Sequence, residues 1–231
     1  MTANSAFAAA RHEPLDSLDD FPTPPWATRA LLRELSSRGL TLMNRVVREP
    51  AANRGFMLRP IAEVTKRIIA SDIHDYGIGL PVQDYLAGPE PDVDWTITNP
   101  PFNLAVDFIE RALEQSRVGV AIFQRTAFLE GQERFETLFD RAPPAHVFQF
   151  VERVPLHRGI LRDPDETYFD ERSGTHRKPS TMASYAWFVW RKPRIFDAPS
   201  LHWIRPCRKR FTRPGDYAVI GNLGATLGRS S

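Results

Sequence analysis

Residues 94–102, Asp-Trp-Thr-Ile-Thr-Asn-Pro-Pro-Phe, constrain the fold more tightly than any other stretch of the chain. Val93 to Thr98 reads as a β-strand, and the two prolines that follow stop it, since each lacks the N–H a ladder needs and holds its predecessor extended. A strand therefore ends in a rigid tetrapeptide, Asn99-Pro100-Pro101-Phe102, with an amide at one end and an aromatic ring at the other. The elements around it alternate. An extended Phe21 to Trp26 feeds a helix over 27–38 with Gly39 as its stop. Next, 45–50 reads as a strand, 55–66 as a helix interrupted by Pro60, and 67–72 as a second short strand. A weaker segment at 81–86 precedes the 93–98 strand. A helix over 104–115, a strand over 119–123 and a helix over 132–139 follow it, and then two late strands, 146–151 and 184–191. Strands separated by helices imply an α/β fold: a doubly wound, Rossmann-like sheet, mostly parallel with a late antiparallel strand, and helices on both faces.

Length and composition bound the rest. The 231 residues, 42% of them hydrophobic, suffice for one sizeable core. Residues 1–19 carry no sustained period and are expected to form a flexible entry, 20–192 one domain, and 193–231 a basic C-terminal extension with a doubtful element at 211–219. A single cysteine, Cys207, excludes an internal disulfide and a cysteine-based zinc site, and no metal is expected. No apolar run approaches the ~20 residues that span a bilayer. A cytoplasmic monomer or homodimer with no membrane partner fits these features. The net charge of +2 is uninformative about nucleic acid, so that question rests on where charges cluster.

Asn99-Pro100-Pro101-Phe102 resembles the catalytic tetrapeptide of the amino-directed class I S-adenosylmethionine-dependent methyltransferases, the family that includes the DNA adenine-N6 enzymes. The chemistry explains the residue types. An aromatic exocyclic amine is a poor nucleophile because its lone pair is delocalised into the ring, and two acceptors on its hydrogens draw the nitrogen toward tetrahedral geometry. The Asn99 side-chain oxygen and the Pro100 carbonyl supply those acceptors, and the prolines hold them preorganised. Phe102 then stacks on the base. The resemblance implies an adenine extruded from duplex DNA and a direct displacement without a covalent enzyme intermediate.

The same resemblance extends to a cofactor site for S-adenosyl-L-methionine. Glu49-Pro50-Ala51-Ala52-Asn53-Arg54-Gly55 resembles the family's glycine-rich loop, with Asn53 where the first glycine is expected and Gly55 preserving the close approach. It implies Glu49 near the methionine amino end and the backbone from Ala51 to Gly55 beneath the cofactor. Asp72 ends the second strand 23 residues after Glu49, where an acidic side chain can accept ribose hydroxyls. Asp84 and Tyr85 resemble the next family position, facing the adenine of the cofactor. Asp20 to Trp26 resembles the arm over the methionine end, with Thr23 and Pro24 as contacts. Phe123 to Gly131 and Tyr185 to Trp190 resemble further strands of the group and read as packing elements.

Too few residues remain for a separate recognition domain, so DNA contacts are expected from loops. One candidate is the polar segment 155–181 with Arg158, Arg162, Arg172, Arg177 and Lys178. Another is the cluster around Arg208, Lys209 and Arg210, suited to phosphates. Beside it, Pro206-Cys207 resembles the nucleophile motif of cytosine-C5 methyltransferases but lies far from the cofactor loop. Three alternatives stay open: the same chemistry on RNA, the same chemistry on protein glutamine, and a degenerate domain that binds DNA without catalysis. A nicotinamide dehydrogenase would need a fuller Gly-x-Gly-x-x-Gly fingerprint, of which only Gly55 is present.

Overall fold

In the computed structural model, residues 19–193 and 198–219 are described, so the flexible entry expected over 1–19 lies, except for Asp19, outside the described residues, as does the last part of the expected extension. Seven strands form one sheet. β1 (Val47–Glu49), β2 (Ile68–Ala70), β3 (Val93–Thr98) and β4 (Ser116–Arg125) run parallel to one another, β8 (Tyr185–Arg191) runs antiparallel between β4 and β5 (His146–Phe150), and β9 (Ser200–Ile204) pairs parallel with β5. The order is β2-β1-β3-β4-β8-β5-β9, which reverses direction between β1 and β3. In open α/β sheets such a reversal leaves a crevice beyond the carboxyl ends of the strands, where ligands bind. The expected α/β class, with a mostly parallel sheet and helices around it, is what the chain adopts.

Two apolar layers sandwich the sheet. On one face α1 (Pro25–Ser36) buries Trp26, Leu31 and Leu35 against Trp95, Phe123 and Trp187. Pro25 opens this helix, where its missing N–H is no loss. On the other face α3 (Ala105–Gln115) buries Ile109 and Ala112 against Ile122 and Phe188. Fully burying such side chains contributes about 1.5–3 kcal/mol each, which outweighs the modest propensity of these short elements.

Several elements differ from their sequence expectation for identifiable reasons. The helix expected over 55–66 contracts to α2 (Leu58–Ala62), because the preceding residues are drawn into turns and Pro60 is tolerated only in a first turn. The 81–86 segment contributes a single bridge, Asp72 to Val82, and not a strand. The helix at 132–139 begins as α4 (Gln132–Arg134) and widens into a π turn over Phe135–Phe139. Within 155–181, β6 (Tyr168–Asp170) and β7 (Thr175–Arg177) form a separate hairpin. β9, inside the expected extension, is an edge strand of the main sheet. The doubtful element at 211–219 resolves into the one-turn α5 (Arg208–Phe211) followed by turns.

Candidate active site

The ends of β1, β2 and β3 open into one recess whose empty space, with the solvent at its mouth included, is about 780 Å³. The arm forms one wall with Phe21, Pro22 and Thr23, and the loop after β1 lines the floor with Pro50, Ala51 and Asn53. Asp72 enters from the end of β2, Asp84 and Tyr85 from the loop before β3, and Asn99 and Pro101 from the tetrapeptide. Of the residues expected around a cofactor, Thr23, Pro50, Ala51, Asn53, Asp72, Asp84, Tyr85 and Asn99 therefore meet at one place. Pro24, Glu49 and Gly55 stand behind it. Of the tetrapeptide, Pro100 is buried behind the recess, and Phe102 lies beside it.

The floor of the recess is set by backbone geometry. Asn53 has φ +50° and Gly55 φ +77°, so the expected left-handed turn is present with an asparagine in it. The Asp72 carboxylate accepts the Asn53 N–H at 2.8 Å and the His74 N–H at 3.0 Å, fastening this turn to the end of β2. Burial is the largest influence on Asp72 and raises its pKa above the ordinary value, with the two N–H bonds opposing it. Asn53 also donates its side-chain amide to Asp20 at 2.7 Å, and Arg54 pairs with the same carboxylate at 2.9 Å. The arm is thereby latched to the loop beneath it.

Glu49 is fully buried and accepts the Ala51 N–H at 3.1 Å. Burial pushes its carboxyl up to about 8, against the opposing pull of the Thr98 hydroxyl, the Ala51 amide and Arg48. Tyr85 is also turned inward: its hydroxyl donates to Gln115 at 2.7 Å and its ring packs on Phe108. Asp84 accepts the Leu86 N–H and stays exposed at the rim.

The tetrapeptide makes the most informative contacts. The Asn99 Nδ2 donates to the Phe21 carbonyl at 2.9 Å, which fixes the orientation of the amide, since a carbonyl can only accept. Asn99 Oδ1 consequently points the other way, and it is buried with no hydrogen-bond partner. Burying an acceptor without a partner costs about 1–3 kcal/mol, so Asn99 Oδ1 is a group that a donor from water or a ligand would stabilise. The Phe102 N–H donates to Asp19 at 2.6 Å, and its ring lies 5.6 Å from that of Phe21 and 6.4 Å from that of Tyr185. Arg125, at the end of β4, sits over the Phe102 ring at 4.5 Å.

Arg208 forms two bonds to Asp165, joining α5 to the 155–181 segment, and the Gly159 N–H donates to the Asp20 carbonyl, joining that segment to the arm. Arg177 pairs with Asp170, and Arg162 lies over the Tyr168 ring at 3.7 Å. Arg158, Arg172, Lys178, Lys209 and Arg210 are exposed. Burial and Glu152 push the Cys207 thiol up to about 12, which disfavours the thiolate form there. Among the described residues no set of three acidic, histidine or cysteine side chains converges to hold a metal, and no helix is long and apolar enough to cross a membrane.

Sequence reasoning singled out the tetrapeptide, the loop and the arm from Asp20 to Trp26, but not Asp19 or Tyr76. The acidic pair before Phe-Pro-Thr-Pro-Pro was the one available signal for the latch. Tyr76 lies under Arg54 at 4.7 Å and had no pattern to announce it.

No protein-family description matches the chain, and no curated protein matches it in sequence. Solved structures do match in fold. A candidate RNA methyltransferase from Pyrococcus horikoshii superposes with a TM-score of 0.54 at 19% identity, over 82% of this chain and 97% of that one. The type I restriction-modification methyltransferase subunit from Streptococcus thermophilus superposes with a TM-score of 0.55 at 10% identity, over 91% of this chain and 52% of that one. The chain thus spans about half of the latter protein and nearly all of the former. It has the Rossmann-like fold of the methyltransferases.

Proposed function

We propose that the chain transfers the methyl group of S-adenosyl-L-methionine to the exocyclic N6 amine of adenine in DNA. The carrying observation is Asn99 Oδ1, a buried acceptor with no partner, its amide oriented by the Phe21 carbonyl. The recess suits the cofactor by its donor set: Asp72 offers carboxylate oxygens to ribose hydroxyls, Asp84 stands at the rim for an exocyclic amine, and Glu49 lies behind the floor as a buried acid. When bound, the cofactor supplies an electrophilic sulfonium methyl.

The protein's part is to prepare the amine. Asn99 Oδ1 and the Pro100 carbonyl accept its two hydrogens, which localises the nitrogen lone pair, and the prolines keep both acceptors in place before the substrate arrives. Phe102, with the tilted rings of Phe21 and Tyr185 around it, supplies an aromatic surface on which an extruded base stacks. A glutamine side chain would leave that aromatic surface unused, which favours a nucleobase. The exposed cations of the 155–181 segment and α5 are available to the phosphates of such a substrate.

The test is transfer of labelled methyl to duplex DNA, single-stranded DNA, RNA and a protein extract, with nucleosides resolved by mass spectrometry. N6-methyladenine in DNA is the expected product. Label confined to RNA or protein overturns the substrate, and absence of both label and cofactor binding overturns the activity.

A further inference from the structure

Arg125 closes β4 opposite Tyr185 of β8 and, like Ala121 and Phe123 before it, points to the α1 face of the sheet. Its guanidinium lies 4.5 Å over the Phe102 ring, and its Nε is buried with no hydrogen-bond partner. Arg29, Arg48 and Arg54 are answered by the carboxylates of Asp216, Glu90 and Asp20, and Arg59 and Arg134, which also rest on rings with a buried Nε, are answered by backbone carbonyls. Among the described residues Arg125 has no such answer. It is a cation held at the active site by an aromatic face alone.

That face has a second use. A base stacked on Phe102 and the Arg125 guanidinium cannot both occupy it. A cation resting on a ring is readily exchanged for charge-assisted, bidentate hydrogen bonds to a phosphate. An extruded nucleotide brings its own phosphates to the rim of the pocket as its base enters, within reach of the side chain it has just displaced. We propose that Arg125 is a positioning residue for the substrate: it rests on Phe102 in the free protein, yields that surface to the target base, and then grips the backbone phosphate beside it. The inference deepens the function proposed above and rests on its nucleic-acid substrate.

The experiment measures binding of a fluorescent, adenine-containing oligonucleotide, duplex and single-stranded, by anisotropy over a series of salt concentrations, together with steady-state methyl transfer. Arg125→Ala and Arg125→Met, the latter keeping an apolar group on Phe102, should weaken binding about 10-fold and lower the slope of log affinity against log salt by about 1. Their KM should rise while kcat stays within about 2-fold. Arg125→Lys should restore the slope, because it restores the charge, and cofactor affinity should be unchanged in all three. Wild-type affinity and slope in the Ala and Met variants, or weaker binding with an unchanged slope, would overturn the role. If the wild type binds and methylates adenine while those variants match it, Arg125 alone is wrongly placed. If the wild type neither binds oligonucleotide at low salt nor methylates it, the nucleic-acid substrate is wrong and the role of Arg125 falls with it.

Discussion

The Asn53 side-chain amide donates to the Asp20 carboxylate at 2.7 Å, so the residue that stands where a glycine is expected also ties the loop beneath the recess to the arm above it. Its φ of +50° separates two consequences of substitution. Asn53→Gly keeps the turn and loses the tie. Asn53→Ala loses the tie and adds about 1–2 kcal/mol of left-handed strain. Thermal unfolding should therefore rank wild type above Asn53→Gly and Asn53→Ala lowest, and calorimetry should show weaker S-adenosylmethionine binding in both. Equal melting of the two variants would show that the backbone conformation carries no cost here.

Asp72 holds two loop N–H groups as well as facing the recess. Asp72→Ala should thus cost about 1–3 kcal/mol of stability from the unsatisfied donors, in addition to cofactor affinity. Asp72→Asn, which keeps one oxygen acceptor, should recover part of the stability and little of the affinity. Chemical denaturation and a binding isotherm read the two effects separately; a stability change without an affinity change would remove Asp72 from the ribose site.

Asn99→Ala should lower kcat by about 100-fold or more, the scale of losing one preorganised group at a developing charge, while the cofactor dissociation constant stays nearly constant. Single-turnover methyl transfer is the measurement. Retained turnover would show that the buried Oδ1 does not meet the amine.

Glu49 makes a pH prediction whose sign follows from burial. Its folded pKa of about 8 lies above the ordinary 4.5, so in the folded protein it keeps a proton that the unfolded chain releases. Its contribution to stability is complete below about pH 4.5, declines as pH rises, and is lost once pH passes about 8. Glu49→Gln removes this dependence and should raise the melting temperature of the cofactor-free protein at pH 8–9 with little effect near pH 5. Parallel melting curves for both proteins across that range would contradict a protonated Glu49.

Arg29 is paired with Asp216 at 2.6 Å and with Glu63 at 2.8 Å, and both Arg29 and Asp216 are buried. Asp216→Ala leaves a buried guanidinium short of a partner and should cost about 3–5 kcal/mol in urea unfolding. A loss below 1 kcal/mol would show that water reaches Arg29.

What the sequence made legible followed from local rules. The 93–98 strand coincides with β3 because its apolar residues and the prolines after it admit few alternatives, and α3 follows from apolar spacing that Ile109 and Ala112 satisfy on one face. The meeting of Asn99, Asp72 and the 49–55 loop followed from placing each at a strand end. β9 was missed because its five residues leave Leu201 and Trp203 exposed, so no alternation toward a core marked it. The inward turn of Tyr85 depends on Gln115, thirty residues away, and the Asp20 latch on a loop more than thirty residues on. Such contacts have no local period to read.

The Arg29–Asp216 pair also bears on the order in which the protein is made. α1 leaves the ribosome early, carrying a guanidinium that must be buried for the helix to settle on the sheet, and Glu63 answers it only in part. The second carboxylate arrives after every strand has been synthesised. A chain that stops before residue 216 lacks this carboxylate, so its first helix should dock less firmly on the sheet and be cut by proteases sooner than in the full-length protein.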